Sequence, residues 1–245
     1  MKQIVCMKWG NKYGPEYVNK LYGMVRRNLE GEIRFVCLTD HAEGIRKEVE
    51  CYPCPEIAIP EPFCNYPWRK VSLWADQLDH MDDTWLFLDL DIVVTNKLDE
   101  LFTYKTDASF IVMHNWTQPN SGIGNTSVYR FKVGSHPYLL EKLLKDPENI
   151  RNTYRNSQTY ISKTIKEIEY WPDEWCVLFK VQCVPPMPFR WWQKPKLPNN
   201  AKVVAFPGDP NPDDALIGEW PTHKWYKKSY KYIKPSLWIN DYWYE

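Results

Sequence analysis

The sequence of 245 residues lacks net charge: 31 lysines and arginines meet 31 aspartates and glutamates. No global field therefore points to nucleic acid or to a strongly acidic partner, and any charged surface has to be local. Long apolar runs are also missing. None approaches a membrane span, and Met1 to Lys8 lack the longer apolar core of a signal peptide. A cytoplasmic protein is expected, at most peripheral on the inner face of a membrane. Internal repeats and linker-like stretches are absent too, which leaves one sizeable α/β domain as the organisation this length allows.

The cysteines give no sign of pairing. Cys6, Cys37, Cys51, Cys54, Cys64, Cys176 and Cys183 form an odd set in mostly apolar surroundings, as buried thiols of a reducing compartment would. Cys51-Tyr-Pro-Cys54 has metal-ligand spacing, but no second Cys or His pair accompanies it. The glycosylation triplets at Asn115 and Asn125 carry no weight in a protein that is not secreted.

Aromatic residues are plentiful, at 16% with 13 Trp, and their flat faces suit the C–H faces of sugar rings. The first half alternates between strand and helix signals. Ile4 to Met7 and Ile33 to Leu38 read as strands around a helix from Pro15 to Leu29, the βαβ rhythm of a parallel sheet. Residues 51 to 67 are Pro-rich and extended, and Trp68 to Leu78 reads as a helix. Ala108 to Met113 and Ser127 to Phe131 are strand-like. Ser135 could cap a helix running to Lys145, and another helix is expected over Gln158 to Ile168. A last strand covers Lys202 to Phe206.

The most informative segment is Thr84-Trp-Leu-Phe-Leu-Asp89-Leu-Asp91-Ile-Val-Val-Thr95. Residues two apart on a strand point to one side, so Asp89 and Asp91 can converge on one ion. Two carboxylates at the end of so apolar a strand are costly without a cation or donors. A haloacid-dehalogenase-type phosphatase uses a similar Asp-x-Asp, but its strand opens the catalytic domain, whereas two βα units precede this one. Its second acidic pair would have to be Asp213-Asp214, which lies in a Pro-rich stretch.

Leu86-Phe-Leu-Asp-Leu-Asp-Ile-Val-Val94 resembles the metal-binding strand of GT-A glycosyltransferases. The likeness is greatest to the retaining group that includes glycogenin and bacterial lipooligosaccharide galactosyltransferases, and it extends by position over residues 2 to 212. It implies a single Rossmann-like GT-A domain over residues 1–219, with a mostly parallel central sheet flanked by helices. It further implies Mn²⁺ or Mg²⁺ on Asp89 and Asp91, holding the diphosphate of a UDP-sugar. By position, Lys8, Trp9, Asn11, Thr39 and Asp40 would cradle base and ribose. Arg69 and Lys70 would face the nucleotide or phosphates, unless they form a solvated helix face. Asn120-Ser121-Gly122 resembles the Asn-(Ala/Ser)-Gly element that lines the sugar pocket. Gln158 falls where the group has a Gln beneath the reacting sugar carbon, although Ser157 replaces the preceding Asp. Asp173 and Glu174 offer an alternative carboxylate for an acceptor hydroxyl, so retaining and inverting chemistry both stay open. Where the group has a His near a Gly and then Lys-Pro, this chain has Gly208-Asp-Pro-Asn211-Pro212. Gly208 matches, His and Lys are absent, and Asp209 is left as a candidate third oxygen ligand.

Residues 220–245 form an aromatic and basic tail. Lys224, Lys227, Lys228, Lys231 and Lys234 interleave with Trp and Tyr, a mixture suited either to an anionic membrane surface or to packing on the domain. The expected protein is a metal-dependent glycosyltransferase acting on a glycan or glycolipid. The alternatives are the phosphatase and a non-catalytic glycan-binding protein on the same scaffold.

Overall fold

The computed structural model describes residues 1–222 and 224–245, with the side chains of Lys228 and Ser229 outside the description. The first apolar run forms strand β1 (Lys2–Lys8), followed by helix α1 (Pro15–Asn28) and strand β2 (Ile33–Thr39). Pro15 suits the first helical turn, where a backbone N–H has no intrahelical partner. Tyr17, Val18, Leu21, Met24 and Val25 are buried along one face of α1. β2 lies parallel to β1 from Lys2↔Ile33 to Lys8↔Thr39, as the βαβ reading requires.

The chain continues through β3 (Glu50–Tyr52), β4 (Thr84–Leu88), β5 (Ile92–Val94), α2 (Asp99–Thr103), β6 (Phe110–His114) and β7 (Gly124–Lys132). Then come α3 (Tyr138–Lys145), α4 (Pro147–Thr153), α5 (Ser157–Thr164), β8 (Glu169–Tyr170), β9 (Cys176–Leu178), β10 (Val203–Ala205) and α6 (Pro212–Ile217). The larger sheet has the order β3-β2-β1-β4-β7-β6-β8, in which only β7 runs against its neighbours. The smaller sheet has the order β5-β10-β9. This is the mixed α/β, mostly parallel architecture expected.

The central strands are buried on both faces, so they read as continuous apolar runs. Leu86 and Leu88 of β4 join the core beneath α1, while Trp85 and Phe87 join the opposite core with Trp68, Trp74 and Tyr160. Cys6, Cys37 and Cys51 lie side by side in register across β1, β2 and β3, and all seven cysteines are free thiols.

Three element expectations change. Trp68 to Leu78 is a 3₁₀ segment, Pro67–Trp74, whose residues 68 and 70–74 are all buried, leaving no polar face for a surface α-helix. Ser135 donates to the Lys132 carbonyl at 2.6 Å and closes a turn, so it does not cap α3, which starts at Tyr138. Helix α5 starts one residue early and ends at Thr164, capped by Asn156, whose side chain accepts from Thr159 N at 2.9 Å.

Part of the tail packs on the domain. Ile233, Ile239 and Trp243 belong to the core beneath α1. Arg27 donates to the carbonyls of Tyr242 and Tyr244 at 2.8 Å each. Trp225, Tyr226, Tyr230 and Tyr232 remain exposed, and the Lys228 side chain lies outside the described residues.

Arg130 of β7 is buried and donates to the carbonyls of Leu101 (2.7 Å), Tyr104 (2.9 Å) and Lys105 (2.6 Å). It thereby satisfies the carbonyls at the end of α2, which no helical N–H can reach. Arg130→Met keeps the volume but strips those acceptors, and it is expected to cost about 3 kcal/mol. An unchanged urea midpoint would contradict that assignment.

Candidate active site

The apolar run through Val94 is not one strand. β4 ends at Leu88 in the larger sheet and β5 begins at Ile92 in the smaller, so Asp89, Leu90 and Asp91 form the passage between the sheets. Both ends of the passage are pinned: Asp89 N donates to Ser127 O at 2.8 Å, and Phe206 N donates to Asp91 O at 2.9 Å. Leu90 is buried in the core, and both aspartates line the same cavity.

Each carboxylate has one oxygen engaged. Lys70 pairs with Asp89 through Oδ1. Tyr13 Oη donates to Asp91 Oδ2 at 3.0 Å, and Lys12 Nζ donates to Tyr13 Oη at 2.6 Å. Burial, and then the Asp89 carboxylate, push the Asp91 carboxyl up to about 6. Burial, reinforced by Asp91, raises the Tyr13 phenol well above its usual range, so it stays a neutral donor. Asp89 Oδ2 and Asp91 Oδ1 accept no hydrogen bond among the described residues. That donor set fits a hard divalent cation, which takes one or two carboxylates and completes its shell with phosphate oxygens and water. Among the described residues, no third His, Cys, Asp or Glu stands with this pair. Asp209 does not supply one: it is exposed, lies off the cavity wall, and engages Lys180 Nζ through its carbonyl at 3.0 Å.

The cavity has a volume of about 590 Å³. One wall is the loop after β1, with Lys8, Trp9, Asn11, Lys12 and Tyr13, and Trp9 Nε1 ties it to Asn65 O at 2.8 Å. Lys70 and residues 65–67 form the next wall, and Gln158 stands in the first turn of α5, whose N-terminal dipole favours negative charge. Gly208 lies on the rim. Three lysines against two aspartates leave the wall net positive, which suits a diphosphate.

Several expected residues lie elsewhere. Asp40 braces the loop from behind, accepting from Gly10 N at 2.9 Å where Gly10 takes φ +61. Thr39 bonds the backbone of His41, and neither Thr39 nor Arg69 lines the cavity. Asn120, Ser121, Gly122 and Asp173 line a separate cleft of about 280 Å³. Asn125, Thr126 and Ser127, at the start of β7, line the larger cavity. Sequence reasoning also missed Lys12 and Tyr13, although they directly follow Asn11. Asp213 and Asp214 start α6 and bond Tyr17 Oη and Asn211 N, each at 2.9 Å. They therefore serve the helix start, away from the acidic role a phosphatase would require.

The fold is that of known glycosyltransferases. It superposes on the galactosyltransferase LgtC, solved with donor and acceptor sugar analogues, with TM-score 0.60 and 14% identity over 86% of this chain and 88% of that one. Apo GlyE of Streptococcus pneumoniae gives 0.61 and 14% over 98% and 62%. Mouse xyloside xylosyltransferase 1 gives 0.54 and 10% over 85% and 98%. These likenesses establish the GT-A fold expected from the sequence. No protein-family model and no curated protein matches the chain.

The Lys70–Asp89 pair is largely shielded, with side chains 10% and 17% exposed. Lys70→Met alone is expected to cost about 3 kcal/mol by stranding a carboxylate, whereas Lys70→Met with Asp89→Leu should recover most of it. Urea unfolding of the single and double variants checks this, and additive losses would contradict the coupling.

Proposed function

We propose that the chain is a metal-dependent glycosyltransferase, moving a sugar from a nucleotide-sugar, read as a UDP-sugar, to a hydroxyl of a glycan or glycolipid. The observation that carries this reading is the pair of carboxylates with free oxygens on a cavity whose other charged groups are lysines. Lys8, Lys12, Lys70 and the start of α5 bind and orient the diphosphate. The loop from Lys8 to Asn11 holds base and ribose, while Gln158 lies against the donor sugar. Mn²⁺ or Mg²⁺ held by Asp89 and Asp91 would supply Lewis-acid neutralisation of the leaving diphosphate. The glycosidic bond to that diphosphate breaks, a new one forms to the acceptor oxygen, and the hydroxyl proton passes to the departing diphosphate oxygen. The fold neighbours include galactosyl- and xylosyltransferases, so the fold alone leaves the sugar open.

Peripheral contact with an anionic membrane belongs to the same proposal. Exposed Phe189, Trp191 and Trp192 stand in a loop joined to the tail through Arg190 Nη1 and Tyr230 O at 3.1 Å. The tail adds exposed Trp225, Tyr226 and Tyr232, together with Lys224 and Lys231. Aromatics at headgroup depth beside lysines suit such a surface.

UDP with Mn²⁺ is expected to raise the melting temperature, because a ligand bound only by the native state stabilises it. Asp91→Ala should remove that shift and lower nucleotide-sugar turnover about a hundredfold or more. Full turnover in both Asp89→Ala and Asp91→Ala, or in excess chelator, would overturn the reading. Binding without any turnover would favour a non-catalytic glycan-binding protein.

A further inference from the structure

The second cleft adjoins the first across the start of β7. Ile123 lines one and Asn125 lines the other, and Gly124 between them pairs with His114 at the end of β6. Two residues of extended chain span about 7 Å. At about 280 Å³ the cleft is half the size of its neighbour and falls just below the range of about 300–1,000 Å³ usual for larger organic ligands. It has room for one ring rather than for a nucleotide.

Its chemistry is distinct from that of the diphosphate cavity. No lysine or arginine lines its wall, Lys163 Nζ being bound to the Ser121 carbonyl at the rim at 2.9 Å, and its one carboxylate is Asp173, which meets His114 Nε2 at 3.3 Å. Such a wall does not select an anion. His114 stacks on Tyr170 with ring centres 4.3 Å apart and leans on Trp116 at 5.3 Å, giving the cleft an aromatic flank. The Asn115 side chain is only 3% exposed, and its Nδ2 has no partner among the described residues. Tyr170 Oη is buried and unpartnered as well.

Aromatic faces and a carboxylate beside an imidazole, on a wall without lysine or arginine, match a neutral polyol with one apolar face. We propose that this cleft binds a neutral pyranose ring of the acceptor, holding it one sugar length from the donor cavity. The inference rests on the glycosyltransferase reading for the word acceptor, but not for the sugar site itself. Asp173 and His114 bind ring hydroxyls, and Trp116 and Tyr170 cover the apolar face. Asn120, Ser121 and Gly122, expected from sequence to line the donor-sugar pocket, form the rim of this acceptor subsite instead.

The test uses the full chain and two probes: UDP with Mn²⁺, and a panel of neutral methyl hexopyranosides and N-acetylhexosaminides, with binding followed by saturation-transfer NMR and calorimetry. At least one methyl glycoside should bind. Asp173→Asn and His114→Ala should each weaken it about tenfold or more, while UDP affinity stays unchanged in both. Asp173 is largely exposed, with its side chain 71% accessible, so Asp173→Asn keeps the test valid should His114→Ala fold poorly. Failure of UDP to bind would overturn the proposed activity and leave the sugar site standing or falling on the glycosides. UDP binding with no glycoside bound, or glycosides bound equally by both variants, would overturn the sugar site alone.

Discussion

Asp89, Leu90 and Asp91 join β4 to β5 and belong to neither sheet, and their backbone is held from both. One end is tied to β7 through Ser127 and the other to the strand end at Phe206. With Leu90 sunk in the core, the flanking carboxylates turn together to the open side. A slip of one residue would put a carboxylate into that core and Leu90 into the cavity, so the apolar anchor sets the direction of the charges. The walls follow from the same junction: β7 contributes Asn125 to Ser127, and the chain after Phe206 contributes Pro207 and Gly208.

Two carboxylates held this close need compensation before any ligand arrives. Lys70 and Tyr13 give it, each taking one oxygen and leaving one free. The asymmetry is informative, since Asp89 receives a full positive charge while Asp91, more deeply buried, receives only a neutral hydroxyl. Asp91 is accordingly the carboxyl pushed upward. A cation held by the two carboxylates would relieve the cost that burial and repulsion place on Asp91, while Lys8 and Lys12 remain for phosphate.

Much of this arrangement was legible before any coordinates. The alternation of Ile4 to Met7 and Ile33 to Leu38 around a helix opened by Pro15 announced the parallel unit, and Trp85 to Asp91 announced the charged end of a buried strand. The passage itself was hidden because Ile92, Val93 and Val94 continue the apolar pattern, and periodicity cannot reveal a change of sheet. That Asn125 to Ser127 line the larger cavity and Asn120 to Gly122 the smaller could not be read beforehand, because a local Asn-Ser-Gly match carries no information about strand register. Asn211, which stands where the resembling group has Lys, opens α6, its N–H held by Asp214. A helix start there was concealed by the surrounding prolines.

The reversed strand β7 explains why two unlike clefts can share one edge. In a wholly parallel sheet, every strand would bring only its carboxyl end to the edge where Asp89 and His114 emerge. Because β7 runs the other way, its first residues arrive there too, inserted between the ends of β4 and β6. Gly124 permits the close approach: a Cβ there would meet Val112 Cγ1 at 2.5 Å, and its N–H is fixed by Ser162 Oγ of α5 at 3.0 Å. The same short run then faces the carboxylates through Asn125 and the aromatic cleft through Ile123. A diphosphate and a neutral ring impose opposite demands on charge, and a single glycine-led strand start separates the two surfaces proposed to meet them.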